Sequence, residues 1–120
     1  MVCPSQEIQL HKDCVKAMQS VGWHLEGHEW NVIPGKDDFG KGDLVFRNGN
    51  VFLVIECKRK QGTKVYEQAE YYAAAWKLRY AKRSPVIYGV WTCHEQTIIG
   101  VIRTKEEARA KCKRDVCKLL

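Results

Sequence analysis

Apolar residues recur along the chain with two different spacings, which predict a mixture of helices and strands. One stretch, about 6 to 21, has apolar residues near every 3.6 positions, and Ser5 precedes it as an N-cap, so we predict a first helix there. Alanines favour a second helix over about 64 to 82, with Thr63 as its cap.

Strands are predicted where the period becomes two or where β-branched and aromatic residues cluster. These segments are 28–33, 43–47 and 51–58. The polar stretch 35–42 between the first two predicts a loop. Asn48 and Gly49 predict a tight type I′ turn, because both residue types tolerate positive φ.

Two further strands, "VIYGVW" and "TIIGVI", follow the second helix. Thr104 and Glu107 then form a capping box that predicts a last helix. The element order is therefore αβββαββα, which indicates an α/β fold with a central mixed sheet flanked by helices on both faces.

The predicted hairpin carries three charged residues among its apolar ones. A turn at Asn48 and Gly49 places Asp43 opposite Val54, and side chains alternate along each strand. Asp43, Glu56 and Lys58 are therefore predicted to share one face and one end of the sheet.

Two carboxylates packed this closely repel each other, and burying them without a partner is costly. Oxygen ligands of this kind suit Mg²⁺ or Mn²⁺. The alternative is a solvated acid–lysine pair on an edge strand. Apolar residues on both faces of 51–57 favour a central strand and therefore the metal site.

Composition sets limits on the class of protein. The 120 residues (1–120) suit a single domain, and no apolar run approaches the roughly 20 residues that span a bilayer. We expect an intracellular protein that is neither secreted nor associated with a membrane. The net charge of +6 makes a polyanionic partner plausible.

Zinc binding is an alternative use of the histidines and cysteines. His24 and His28 stand four residues apart, and a second group of ligand types lies near the C-terminus: Cys93, His94, Cys112 and Cys117. Neither set has the spacing of a zinc finger or ribbon.

The "GD" at 42–43, the intervening hairpin and "IECK" at 55–58 resemble the PD-(D/E)XK nuclease superfamily, which has the restriction-endonuclease-like fold. Gly42 stands where the family motif has proline. The resemblance covers about 5–100 and implies that family's αβββαβ core, with the last helix as an addition at the C-terminus.

That resemblance implies catalytic roles for the charged residues of the hairpin. Asp43 and Glu56 would bind Mg²⁺, for which Mn²⁺ may substitute, and the Cys57 carbonyl would be a further ligand. Lys58 would orient or deprotonate the attacking water and stabilise charge on the phosphoryl oxygens.

A glutamate of the first helix often joins the site in these nucleases. Glu7 is the candidate for that role here, although alignment by distance from the end of the helix favours His11 or Asp13. Asp37 and Asp38 are rivals for the role of Asp43, but they lie outside the hairpin register.

"QAEYY" at 68–72 resembles the QxxxY motif of some exonucleases in the superfamily. Gln68 and Tyr72 are neighbours on one helical face, where they suit a phosphate and a base. Alternatively, Tyr72 is a core residue with Gln68 at its margin. Basic residues near the predicted centre suit phosphate contacts: Lys36, Lys41, Arg59 and Lys60.

These expectations describe a small Mg²⁺-dependent DNA endonuclease. Since 120 residues leave no room for a specificity domain, we expect it to select DNA structure, as small Holliday-junction resolvases do on branched DNA, and to act as a homodimer. The alternatives are an exonuclease, a nucleic-acid-binding subunit without turnover and a purely structural domain.

Overall fold

The computed structural model describes residues 7–112 and 114–120, without the side chains of 114 and 115. Its elements follow the predicted order, except that two short helices replace the last one. They are α1 (Glu7–Ser20), β1 (His24–Ile33), β2 (Lys36–Asn48), β3 (Val51–Cys57), α2 (Thr63–Tyr80), β4 (Val86–Trp91), β5 (Gln96–Ile102), α3 (Lys105–Lys111) and α4 (Arg114–Cys117).

The strands form one sheet in the order β1-β2-β3-β4-β5. Neighbours are antiparallel except for β3 and β4, which are parallel because α2 carries the chain back between them. The predicted α/β fold with a central mixed sheet is confirmed.

Helices cover both faces of the sheet, and the alternation along β2 separates the two apolar layers. Leu44 and Phe46 pack with Leu10 and Cys14 of α1. Val45 faces the other way, into the larger cluster around α2, α3 and α4. In the part of the chain that is described, no helix is long and apolar enough to cross a membrane.

The prediction of a loop over 35–42 is wrong. β1 and β2 pair from His24↔Arg47 to Ile33↔Lys36, and the turn between them has Gly35 at φ 79°. Residues 36–38 are exposed on this two-stranded arm, so nothing selects apolar residues there and the sequence is as polar as that of a loop.

The helix ends agree only partly with the prediction. The first helix lies within a residue of its predicted bounds at each end, and its predicted cap, Ser5, lies outside the described residues. Thr63 is the first residue of α2 rather than its cap, which is Gly62. At α3 half of the predicted capping box is confirmed: the Glu107 N–H donates to Thr104 Oγ1 over 3.1 Å, but the Glu107 carboxylate accepts from the Arg103 N–H over 3.3 Å instead of from Thr104.

A buried lysine closes the C-terminal end of α2. Lys77 is 1% exposed, and its ammonium donates to three backbone carbonyls beyond the helix end. These belong to Ala81 (2.9 Å), Lys82 (3.3 Å) and Ser84 (2.6 Å).

Candidate active site

The hairpin that carries the charged residues differs from the prediction by one residue in its turn. Asn48 pairs with Val51, so the turn residues are Gly49 and Asn50 rather than Asn48 and Gly49. Of these two only Gly49 has positive φ, the pattern of a type II′ turn rather than type I′.

This shift changes the register but keeps every side chain on its predicted face. Val45 pairs with Val54 and Leu44 with Ile55, so the predicted partner of Asp43, Val54, is wrong by two residues. A shift of two positions preserves the alternation of side chains. Continuing the ladder by one step brings Asp43 level with Glu56.

Hydrogen bonds between backbone N–H groups and carboxylates hold Asp43 and Glu56 side by side. The Asp43 N–H donates to Glu56 Oε1 over 3.0 Å, and the Cys57 N–H donates to Asp43 Oδ2 over 2.8 Å. The two residues are 9% and 1% exposed. Glu56 Oε2 is buried and receives no hydrogen bond from the described residues.

Burial favours the neutral form of both acids, and the charge of Asp43 adds to this effect at Glu56. Desolvation, followed by the charge of Asp43, raises the pKa of Glu56 to about 9. Desolvation likewise raises the pKa of Asp43, although the Cys57 N–H and the Lys58 charge oppose the shift. Near neutral pH and without a cation, the pair therefore retains a proton.

Lys58 lies beside this pair at the end of β3. Burial alone would lower the pKa of its ammonium, but the carboxylates of Asp43, Glu7 and Glu56 outweigh that effect and raise it. Its Nζ is 3.8 Å from Glu7 Oε1. Lys58 therefore stays charged, and it links the first helix to the acids.

The first helix contributes two residues near the acids and leaves the third candidate outside. Glu7 contacts Lys58, while His11 is buried with its Nε2 3.6 Å from Asp43 Oδ1. Asp13 is exposed and accepts a hydrogen bond from Gln9. His11, predicted as an alternative to Glu7, is therefore also close to the acids, and its contact with Asp43 depends on how α1 crosses the sheet.

Gln68 and Tyr72 lie on the α2 face that borders Lys58. Gln68 Nε2 donates to the Tyr72 hydroxyl over 3.3 Å. Both residues line a cavity of about 680 Å³ together with Lys58 and Gly40. Tyr72 is 5% exposed and belongs to the core cluster, and Gln68 is half-buried, which agrees with the alternative of a core tyrosine with Gln68 at its margin.

The basic residues lie at different distances from the acids. Lys41 precedes Asp43 by two residues, and Arg59 and Lys60 follow Lys58 directly; all three are exposed. Lys36 is at the tip of the arm, seven residues and roughly 23 Å along the strand from Asp43. Asp37 and Asp38 are exposed on the same arm.

Gly42 occupies the position of the motif proline for a steric reason. A Cβ at this residue would lie 2.5 Å from Trp30 Cε2. The indole of Trp30 also packs edge-on against Tyr72 and Trp76, so it has little room to move. A proline here would collide with the ring that covers the residue before Asp43.

The structure does not support either group of zinc ligands that the sequence suggested. Cys93 is disulfide-bonded, whereas Cys112 and Cys117 are not. His28 meets His11 of α1 rather than His24. The described residues contain two groups of close ligand atoms with a histidine, His11–His28–Glu29 and His11–Asp43–Cys57.

No family model matches the chain, and no curated protein sequence is significantly similar to it.

Proposed function

We propose that this protein is a Mg²⁺-dependent endonuclease that hydrolyses phosphodiester bonds of DNA. The observation that carries the proposal is the contact between two buried carboxylates, Asp43 and Glu56, beside the charged Lys58, with Glu56 Oε2 unpartnered among the described residues. The "GD…IECK" resemblance to PD-(D/E)XK nucleases supports the same assignment.

The donor set fits a hard divalent cation. Asp43 and Glu56 offer carboxylate oxygens, and the Cys57 carbonyl would add a third oxygen. The Cys57 thiol is a poor ligand, because a hydrogen bond with Cys14 and burial raise its pKa and disfavour the thiolate. A cation held here would replace the proton that the acids share and would be coordinated by their carboxylate oxygens.

The chain's own groups would position and polarise the substrate. Bound Mg²⁺ would supply Lewis-acid stabilisation of the phosphate and a water of lowered pKa. Because the pKa of Lys58 is raised, its ammonium suits stabilising charge on phosphoryl oxygens better than removing a proton from water. Glu7 would hold that ammonium in place from α1.

Surface charge beside the acids would hold the nucleic-acid backbone. Lys41, Arg59 and Lys60 are exposed near the acids, and Lys36 would reach DNA farther along the arm. Such contacts give affinity without reading sequence. Selection of branched DNA and action as a homodimer stay predictions.

An exonuclease is the second candidate. The hydrogen bond between Gln68 and the Tyr72 hydroxyl beside the Lys58 cavity favours it, because the amide held there could bind a phosphate of a frayed strand end.

Cleavage assays with matched DNA substrates test both candidates. A covalently closed circle, a four-way junction, a linear duplex and a single strand are incubated with Mg²⁺ or EDTA. We expect Mg²⁺-dependent cutting of the junction and nicking of the circle, neither of which requires an end. Degradation of the linear substrates alone selects the exonuclease.

The matched control is Lys58→Ala, which should bind DNA without cutting it. Binding by both proteins without any cleavage in Mg²⁺ or Mn²⁺ would overturn the enzymatic proposal and favour a binding subunit. If the unmodified protein neither binds nor cleaves DNA, a purely structural domain is the remaining alternative.

A further inference from the structure

A second group of ligand atoms lies on the α1 side of the molecule. His11 Nδ1 is 3.1 Å from His28 Nε2, and the two rings meet nearly edge-on at 5.3 Å. A carboxylate oxygen of Glu29 completes a group whose ligand atoms all lie within 4.8 Å of one another. His11 is buried, whereas His28 and Glu29 are exposed.

Asp43 favours the tautomer of His11 that makes Nδ1 a ligand. His11 Nε2 is buried, faces Asp43 Oδ1 at 3.6 Å and has no hydrogen-bond partner among the described residues. The carboxylate attracts a proton on Nε2, which leaves the lone pair on Nδ1 directed at His28. A carboxylate behind a ligating histidine is a common arrangement in metal sites.

The backbone of β1 is distorted where it brings Glu29 to this group. Glu29 has φ 48°, the only positive φ among the described residues other than glycine. Adjacent residues of a regular strand point to opposite faces, so His28 and Glu29 would ordinarily be separated. The left-handed conformation, which disfavours a glutamate, allows both side chains to reach the same point.

We propose that His11, His28 and Glu29 form a binding site for a transition-metal ion, with Zn²⁺ the ion that this set favours. Two imidazoles and one carboxylate are the ligands of an open zinc site, and Mg²⁺ would prefer oxygen alone. Zinc–nitrogen bonds of about 2.0–2.1 Å place two ligand nitrogens roughly 3.3 Å apart in a tetrahedron. The observed 3.1 Å needs little adjustment.

The site is reached from solvent and joins two elements. His11 and His28 both line an open groove of about 670 Å³ between α1 and β1. A bound ion would therefore cross-link the helix to the strand and stabilise the folded chain in proportion to its affinity. The inference does not depend on the nuclease proposal, because none of these three residues is required to bind Mg²⁺ there.

Calorimetric titration of the full chain with Zn²⁺ tests the site. We expect one tight Zn²⁺ per chain, at least tenfold weaker binding by His28→Ala and unchanged binding by His24→Ala. His24 is the matched control, because it is an exposed histidine on the same strand outside the group. The same titration of Glu56→Gln should keep the tight site, which separates it from an ion held by the carboxylate pair.

Two further measurements cover a failure of His28→Ala to fold. Glu29→Gln keeps the size of the side chain and should also weaken Zn²⁺ binding. Zn²⁺ should raise the unfolding temperature of the unmodified protein more than that of either variant, with values in EDTA as the baseline. Equal Zn²⁺ affinity in the unmodified protein, His28→Ala and Glu29→Gln would reduce the contact to a hydrogen bond and overturn the proposal.

Discussion

Two buried ionisable side chains, Lys77 and Glu56, have opposite surroundings although each is 1% exposed. The Lys77 ammonium donates to three carbonyls at distances of 2.6–3.3 Å. Glu56 accepts one hydrogen bond at Oε1, lies against a second acid and has an Oε2 with no partner among the described residues.

This difference indicates that Lys77 has a structural role and that Glu56 is a candidate functional residue. The backbone carbonyls of the segment after α2 receive their donors from Lys77, so its burial is explained by the fold alone. The fold does not stabilise the ionised form of Glu56 in this way, because the like charge of Asp43 and an Oε2 that accepts no hydrogen bond from the described residues both destabilise it. A cation between the two acids would remove both defects.

The largest expected effect is on cleavage. Glu56→Gln should lower Mg²⁺-dependent turnover by roughly 10³-fold, because an amide cannot supply the negative charge that holds the cation. Single-turnover cleavage of a junction substrate measures it. Lys77→Met is the control and should cut at the unmodified rate at a temperature where it is folded. Equal losses of cleavage rate in both variants would contradict the assignment of a functional role to Glu56 and a structural role to Lys77.

The effects on stability should have the reverse order, with the larger loss in Lys77→Met than in Glu56→Gln. Lys77→Met leaves three carbonyls without their donor and should lower the free energy of unfolding by about 3 kcal/mol. Urea denaturation at about pH 8 without metal measures it. Glu56→Gln should lose no stability there, because the neutral glutamine needs no proton at pH 8, whereas Glu56 must take one up to be buried. Comparable destabilisation by Glu56→Gln would mean that Glu56 also has a structural role.

The stability of the metal-free protein should fall as pH rises from about 5 to 9. The folded state keeps a proton on Glu56, whose pKa is raised to about 9 from 4.5, while the unfolded state releases it. Unfolding therefore becomes easier with pH, by at most about 1.4 kcal/mol per unit. Urea midpoints across this range should show a shallower fall for Glu56→Gln. An equal fall of the urea midpoint with pH in the unmodified protein and in Glu56→Gln would contradict the raised pKa of Glu56.

The smallest effect concerns a neutral hydrogen bond beside the acids. Tyr72→Phe removes the acceptor of Gln68 and should lower cleavage about fivefold, the equivalent of about 1 kcal/mol. Steady-state cleavage rates measure it. A loss near that of Glu56→Gln would instead place the Tyr72 hydroxyl in contact with the reacting phosphate.

Most of the sheet could be predicted from the sequence because apolar alternation dictates which residues face a helix. That alternation predicted the face shared by Asp43 and Glu56 even though the turn was placed one residue early. The start of β2 could not be recognised, because its exposed residues 36–38 are as polar as those of a loop.

The long-range contacts of the site were beyond the sequence. The contact of His11 with Asp43 depends on the position of α1 over the sheet, and its contact with His28 depends on a distorted β1. The positive φ of Glu29 has no signal in a residue type that rarely adopts it. The donors around Lys77 likewise depend on the path of the chain after α2.

Proton release on Mg²⁺ binding tests the central claim most directly, namely that the acids exchange a shared proton for a cation. Calorimetric titrations at about pH 8 in two buffers of different ionisation enthalpy give the number of protons released. The account predicts release of nearly one proton per Mg²⁺ by the unmodified protein and little binding by Glu56→Gln. Mg²⁺ binding of equal strength in both proteins, without proton release, would contradict it.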